Sequence, residues 1–93
     1  MDHCFILSSP SEFLKNKNSA KDAVSLHHDK LTLKMSTTAP AFIVYSGFYN
    51  DWYKDTKHGP YSGIAFEPAR YVDAINHPEM RDTVILKAGE KYY

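Results

Sequence analysis

Glu67 is the residue whose setting most invites chemistry. It closes the run Gly63-Ile64-Ala65-Phe66-Glu67, which alternates like a β-strand. Side chains two apart on a strand share a face, so Gly63, Ala65 and Glu67 point one way and Ile64 and Phe66 the other. Two small residues beside one carboxylate leave room for a ligand, while Ile64 and Phe66 are free to pack into a core. A carboxylate partly withdrawn from water at such a place suits general acid or base work near neutral pH. The pattern also fits a surface Glu at the end of a strand, and at this level both readings stay open.

The other reactive side chains are less promising. Asp2-His3 reads as a frayed terminus or as a polar pair at a strand end. Cys4 lies in the apolar run Cys4-Phe5-Ile6-Leu7 and reads as small core filler rather than a nucleophile. His27-His28-Asp29 has metal-ligand types, but adjacent strand residues point to opposite faces and a tetrahedral site needs three or four convergent ligands. A polar turn is expected there, and no metal site. His58, beside Gly59, and His77, beside Pro78, read as loop residues. Trp52 and Tyr53 read as a cap over the core beneath a long loop, or as a wall on which a sugar stacks.

The elements that must position these residues are mostly strands. Phe5-Ile6-Leu7 is a short apolar strand. Ser9-Pro10-Ser11-Glu12 is a helix start, with Ser as cap, Pro at the first helical position and Glu at the third. Asn16 to Ser19 then breaks it, so at most one short helical turn is expected. Ala23 to Leu26 and the strictly alternating Leu31-Thr32-Leu33-Lys34-Met35 predict a hairpin turning at His27 to Lys30. Ala41-Phe42-Ile43-Val44-Tyr45 is a continuous apolar run, as in a strand covered on both faces. Ser46 to Pro60 is a long polar and aromatic loop of the kind that often binds ligands. Gly63 to Glu67 is the next strand, weakened at Pro68, which has no ladder donor. Tyr71 to Asp82 is irregular, Thr83 to Lys87 is a further strand, and Lys91-Tyr92-Tyr93 looks like the beginning of another.

Composition narrows the function classes. The 93 residues suit one small domain or part of a larger one. Eleven Lys and Arg against eleven Asp and Glu give zero formal charge, which argues against a nucleic-acid partner. No apolar run approaches the roughly 20 residues that span a bilayer, so no membrane association is expected. A single cysteine is not a bridging set, and the first residues lack a signal-peptide pattern, so a cytoplasmic location is expected. A chain this short buries only about two-thirds of its unfolded surface. Either its core is well packed or it leans on something else.

Four motifs in order resemble the aldose 1-epimerases (galactose mutarotases). Gly63-Ile64-Ala65-Phe66-Glu67-Pro68-Ala69-Arg70-Tyr71-Val72-Asp73-Ala74-Ile75-Asn76-His77-Pro78 is similar to a C-terminal signature of that family. Ile85-Leu86-Lys87-Ala88-Gly89-Glu90-Lys91-Tyr92 resembles the strand and turn that follow it. Asp2-His3-Cys4-Phe5-Ile6-Leu7 and Thr37-Thr38-Ala39-Pro40 with Ile43-Val44-Tyr45-Ser46-Gly47 resemble two earlier motifs. Together they cover the chain nearly end to end. Val72 replaces the usual Pro before Asp73, and Phe48-Tyr49-Asn50 departs from the usual continuation after Gly47.

The resemblance implies an all-β fold, part of a galactose mutarotase-like β-supersandwich. It implies interconversion of the α and β anomers of hexoses such as galactose and glucose, without a cofactor. Glu67 takes the position of the catalytic base. Asp2 takes that of a substrate-binding aspartate, and Ile43 and Tyr45 fall on the strand that helps line the sugar pocket. The family's acid His and its second sugar-binding His belong to an N-terminal portion that no motif here matches. Residues 1–93 are thus expected to be a C-terminal segment without that portion or the closing strand. The segment is expected to be inactive alone and able to self-associate through exposed sheet edges. A non-catalytic carbohydrate-binding or interaction module derived from the same fold is the alternative.

Overall fold

A computed structural model describes residues 1–49 and 58–92. In chain order the elements are β1 (Asp2–Ile6), α1 (Pro10–Lys15), β2 (Lys21–His28), β3 (Leu31–Thr37), β4 (Ala41–Tyr45) and β5 (Ala65–Ala69). Two one-turn 3-10 helices follow, Ala74–Asn76 and Arg81–Thr83. The described chain is mostly β with minimal helix.

The apolar run of β4 is the centre of a three-stranded antiparallel sheet in the order β1-β4-β5. A strand without polar alternation needs neighbours on both edges and cover on its faces, and Ala41, Phe42 and Val44 are all buried. The β1–β4 ladder continues past its ends. The Leu7 and Ser8 N–H groups donate to the Pro40 carbonyl at 2.8 and 3.2 Å, and the Ser46 N–H donates to the Met1 carbonyl at 2.9 Å. Asp2 and His3 are therefore paired strand residues, not a frayed end. Pro68 sits inside β5 opposite Phe42, where an edge strand tolerates a missing donor.

The helix is set by its cap. The Ser9 N–H donates to Glu12 Oε2 at 2.8 Å, and the Glu12 N–H donates back to Ser9 Oγ at 3.4 Å. That reciprocal box, with Pro10 at the start, supports six residues, a little more than the one turn expected. The helix buries Phe13 and stops at Asn16. Phe13, Tyr71, Ala74 and Thr83 form the core beside it, with Pro40 fully buried. The Tyr71 hydroxyl donates to the Ser8 carbonyl at 2.6 Å, tying the chain after β5 to the β1–α1 connection. Burial pushes that hydroxyl above its ordinary value of 10.0, against the smaller opposing effect of the hydrogen bond.

β2 and β3 form a separate two-stranded sheet. The turn is tighter than expected. His27 and His28 belong to β2, paired with Thr32 and Leu31, and only Asp29-Lys30 turns, with Asp29 at φ 51°. A two-residue hairpin turn requires positive φ, which Asp tolerates better than most residues.

The expected strand over Thr83 to Lys87 does not form. Thr83 closes a 3-10 helix with its hydroxyl on the Met80 carbonyl at 2.6 Å, and Val84, Ile85 and Leu86 follow as irregular chain. Val84, Ile85 and Leu86 have strand propensity, but among the described residues no strand lies beside them to complete a ladder. Propensity without a partner makes no sheet. β5 also begins at Ala65, two residues later than Gly63.

Candidate functional site

The antiparallel register decides which side chains share a face. Across the sheet, Asp2 stands opposite Tyr45 and Tyr45 opposite Ala65. In the next row of that face, Cys4 stands opposite Ile43 and Ile43 opposite Glu67. The third row is Ile6, Ala41 and Ala69. Directly opposed residues point the same way, and so do residues two apart. Asp2, Ile43, Tyr45 and Glu67 therefore all lie on one face, drawn from three different strands. The other face carries His3, Val44 and Phe66, then Phe5, Phe42 and Pro68, with the Phe5 and Phe42 rings stacked at 5.3 Å.

Asp2 and Glu67 stand at diagonally related positions of this face. Two strand spacings of about 4.8 Å and one same-face step of about 6.8 Å put their Cα atoms about 12 Å apart. Glu67 is exposed in this chain rather than partly withdrawn from water, because its neighbours on the face are Ala65, Ala69 and Ile43, and none overhangs it. Among the described residues, no side-chain hydrogen bond or ion pair engages the carboxylates of Asp2 or Glu67. Both carboxylates are free to accept from hydroxyl groups. Charged acceptors make the stronger hydrogen bonds.

The Asp2 end of the face is linked through Tyr45 to a cluster of exposed aromatic side chains. The Tyr45 hydroxyl accepts from the Tyr49 N–H at 2.7 Å. Phe48 meets Tyr49 edge-on at 4.7 Å and Tyr61 at 5.8 Å. The Tyr61 N–H donates to the Gly47 carbonyl at 2.9 Å, joining the two feet of the long loop. Gly47, at φ 73°, allows the chain to leave β4. The tip of the loop, including Trp52 and Tyr53, lies outside the described residues.

Sequence reasoning missed Cys4 on this face and the Phe48–Tyr49–Tyr61 cluster beside it. The signal for Cys4 was available, since the two-residue step from Asp2 reaches it. The cluster had none, because Tyr61 joins the adjacent Phe48 and Tyr49 only when the feet of the loop are brought together.

Other regions do not converge on this face. His27 bonds Ser25 at 2.8 Å and Thr32 at 3.0 Å on the hairpin. His77 lies between Asp73 and Glu79, at 3.5 and 3.6 Å. Among the described residues, no group of three or more His, Cys, Asp or Glu is placed to hold a metal ion. Among the described residues, no helix is long and apolar enough to cross a membrane. A groove of about 1010 Å³ lies between α1 with residues 16–19 and the chain from Thr83 to Tyr92. It holds none of Asp2, Ile43, Tyr45 or Glu67. Arg70 stacks there over Phe13 at 4.4 Å and Tyr92 at 5.2 Å, which makes it a packing element.

Comparison with known proteins places the chain in a family. The family model for aldose 1-epimerase matches residues 1–93. The bifunctional protein GAL10 of Kluyveromyces lactis is 38% identical over 94 residues, covering 99% of this chain and 13% of that protein. The gal10 protein of Schizosaccharomyces pombe is 35% identical over 96 residues, covering 98% and 13%. The aldose 1-epimerase of Escherichia coli is 35% identical over 95 residues, covering 98% of this chain and 26% of the enzyme. The chain thus spans between about an eighth and about a quarter of these relatives. No solved structure matches at a significant level. A family match over the whole chain, together with relatives of this identity along nearly all of it, shows that the chain belongs to the aldose 1-epimerase family.

Proposed function

We propose that this chain is the C-terminal segment of a cytoplasmic mutarotase that interconverts the α and β anomers of hexoses such as galactose and glucose. The observation that carries the reading is the shared face of Asp2, Ile43, Tyr45 and Glu67. A sugar ring lying on that face has one carboxylate at each end and apolar surface beneath it. Glu67 takes the proton from the anomeric hydroxyl while an acid protonates the ring oxygen. The bond between the anomeric carbon and the ring oxygen breaks, the carbonyl rotates, and the ring recloses on its other side with both protons returned. Asp2 accepts hydroxyl hydrogen bonds and holds the sugar in place.

The acid comes from polypeptide outside these residues. His3, the histidine nearest in sequence to Asp2, points to the opposite face and does not reach a sugar held by Glu67. A base without its acid forfeits roughly 10² to 10⁴ in rate. Polarimetry of fresh α-galactose with the isolated chain should therefore follow the spontaneous rate, with and without Glu67→Gln. A clear rate in the chain that Glu67→Gln abolishes would overturn the need for an outside acid.

A second reading, a carbohydrate-binding module without turnover, is favoured by the exposed Phe48–Tyr49–Tyr61 cluster at the Asp2 end. Saturable galactose binding without mutarotation, lost in Asp2→Ala and kept in Trp52→Ala, would select it.

A further inference from the structure

We propose that the groove between α1 and the chain from Thr83 to Tyr92 binds a phosphate group, free or esterified, with the Arg70 guanidinium as its anchor and Lys15 and Lys91 beside it. The inference does not depend on mutarotation, because the groove shares no residue with the sugar face. Its charge is local. The chain as a whole balances eleven cationic against eleven anionic side chains. The groove is lined by Lys15, Lys17, Arg70 and Lys91 against Glu90 alone. Glu90 is already engaged. One of its oxygens lies 3.8 Å from Lys17 Nζ, and the other accepts from the Lys87 N–H at 3.0 Å. That leaves Lys15, Arg70 and Lys91. Among the described residues, no side-chain hydrogen bond or ion pair engages any of the three.

Arg70 is held as an anchor must be. Its guanidinium carbon lies 4.4 Å from the Phe13 ring centroid and 5.2 Å from that of Tyr92. Phe13 is buried, so the guanidinium rests against a fixed wall. Ring contact supplies no lone pair in the plane of the fork, and all its N–H donors stay unbonded. The residue is half-buried, yet none of its nitrogens is sealed from solvent. The donors therefore open on the groove, where an oxyanion can take two of them at once. A carboxylate would fill the fork but brings one charge. A phosphate monoester brings nearly two and has three acceptor oxygens, which suits one guanidinium flanked by two ammonium groups.

The space fits a larger ligand than the phosphate alone. About 1010 Å³ is at the upper end of small-molecule sites. Tyr92 and Leu86, both exposed, offer a wall for the body of an ester. The β2–β3 hairpin does not cover the groove. It packs chiefly on itself, stretches the outline to a radius of gyration of 16.1 Å, and contributes no lining residue.

The test is titration of the 93-residue chain, at constant ionic strength, with inorganic phosphate and with glucose 6-phosphate. Calorimetry and amide chemical shifts are read. Saturable one-to-one binding is expected, with shifts centred on Lys15, Arg70 and Lys91. Arg70→Lys keeps the charge but loses the fork, and should weaken binding at least about tenfold. Lys91→Ala, at an exposed position, should weaken it about threefold while keeping the parent's dichroism and urea transition, and so serves if Arg70→Lys fails to fold. Lys34→Ala, on the hairpin, should change nothing. Tighter binding of the ester names a phosphorylated molecule as the ligand, and equal binding names phosphate itself; either sustains the site. Absence of saturable binding overturns the proposal, as do shifts confined to the sugar face. Shifts of the groove residues with unphosphorylated glucose overturn it as well. Equal weakening in Lys34→Ala and Lys91→Ala also overturns it, since the groove would then hold an adventitious ion only.

Discussion

The β1-β4-β5 sheet and the β2–β3 hairpin are both antiparallel, and differ in what covers their apolar side chains. In the sheet, β4 has a partner on each edge, and Ala41, Phe42 and Val44 are buried. In the hairpin, the equally apolar Leu26, Leu31 and Leu33 face water. Strand formation follows from alternation and turn chemistry in both. Stability follows from cover, and only one of them has it. The residues of the proposed site all belong to the covered unit.

Substitutions that test cover directly should separate the two regions most. Phe42→Ala removes a buried ring stacked on Phe5 and should cost about 3–5 kcal/mol, enough to abolish a cooperative urea transition in a domain this small. Tyr71→Phe should cost about 1–3 kcal/mol, because it leaves the Ser8 carbonyl without its donor in a buried place. Ser9→Ala should lower the unfolding free energy read from the same urea transition by about 1 kcal/mol through loss of the helix cap.

Acid should act on the covered unit through Glu12. The Ser9 backbone N–H and then the Ser9 hydroxyl hold its carboxyl below the ordinary value of 4.5. The folded state therefore binds the proton less readily than the unfolded state. The capping contribution is fully present above 4.5 and is lost as pH falls through the lower folded value. A thermal midpoint that drops over that range should become flatter in Glu12→Gln. Leu33→Ala should have the smallest effect, under about 0.5 kcal/mol in the chain alone, because the side chain is already wet. A cost for Leu33→Ala comparable to that of Phe42→Ala would erase the distinction between the regions.

Much of the covered unit was legible in the sequence. The apolar run at Ala41 to Tyr45 announced a central strand, and Ser9-Pro10-Ser11-Glu12 announced the helix by its cap. Glu67 was found through its small same-face neighbours, and Asp2, Ile43 and Tyr45 through family resemblance. Their convergence was not legible, because register between strands as distant as β1 and β5 is a tertiary property. The failures share a cause. Thr83 to Lys87 reads as a strand because its side chains suit one, yet pairing needs a neighbour that local pattern does not supply. Asp2-His3 reads as a loose end for the converse reason, since the ladder to β4 lies more than 40 residues away. Glu67 was expected in partial shelter, and shelter depends on what stands over the face.

The extended outline bears on how the protein is weighed. A radius of gyration of 16.1 Å is that of a compact chain of about twice this length. On a sizing column the monomer should therefore emerge where a globular dimer would. Elution volume alone would report self-association in a solution containing none. Light scattering, which reads mass independently of outline, gives the stoichiometry, and the gap between the two readings measures how far the hairpin stands out from the sheet.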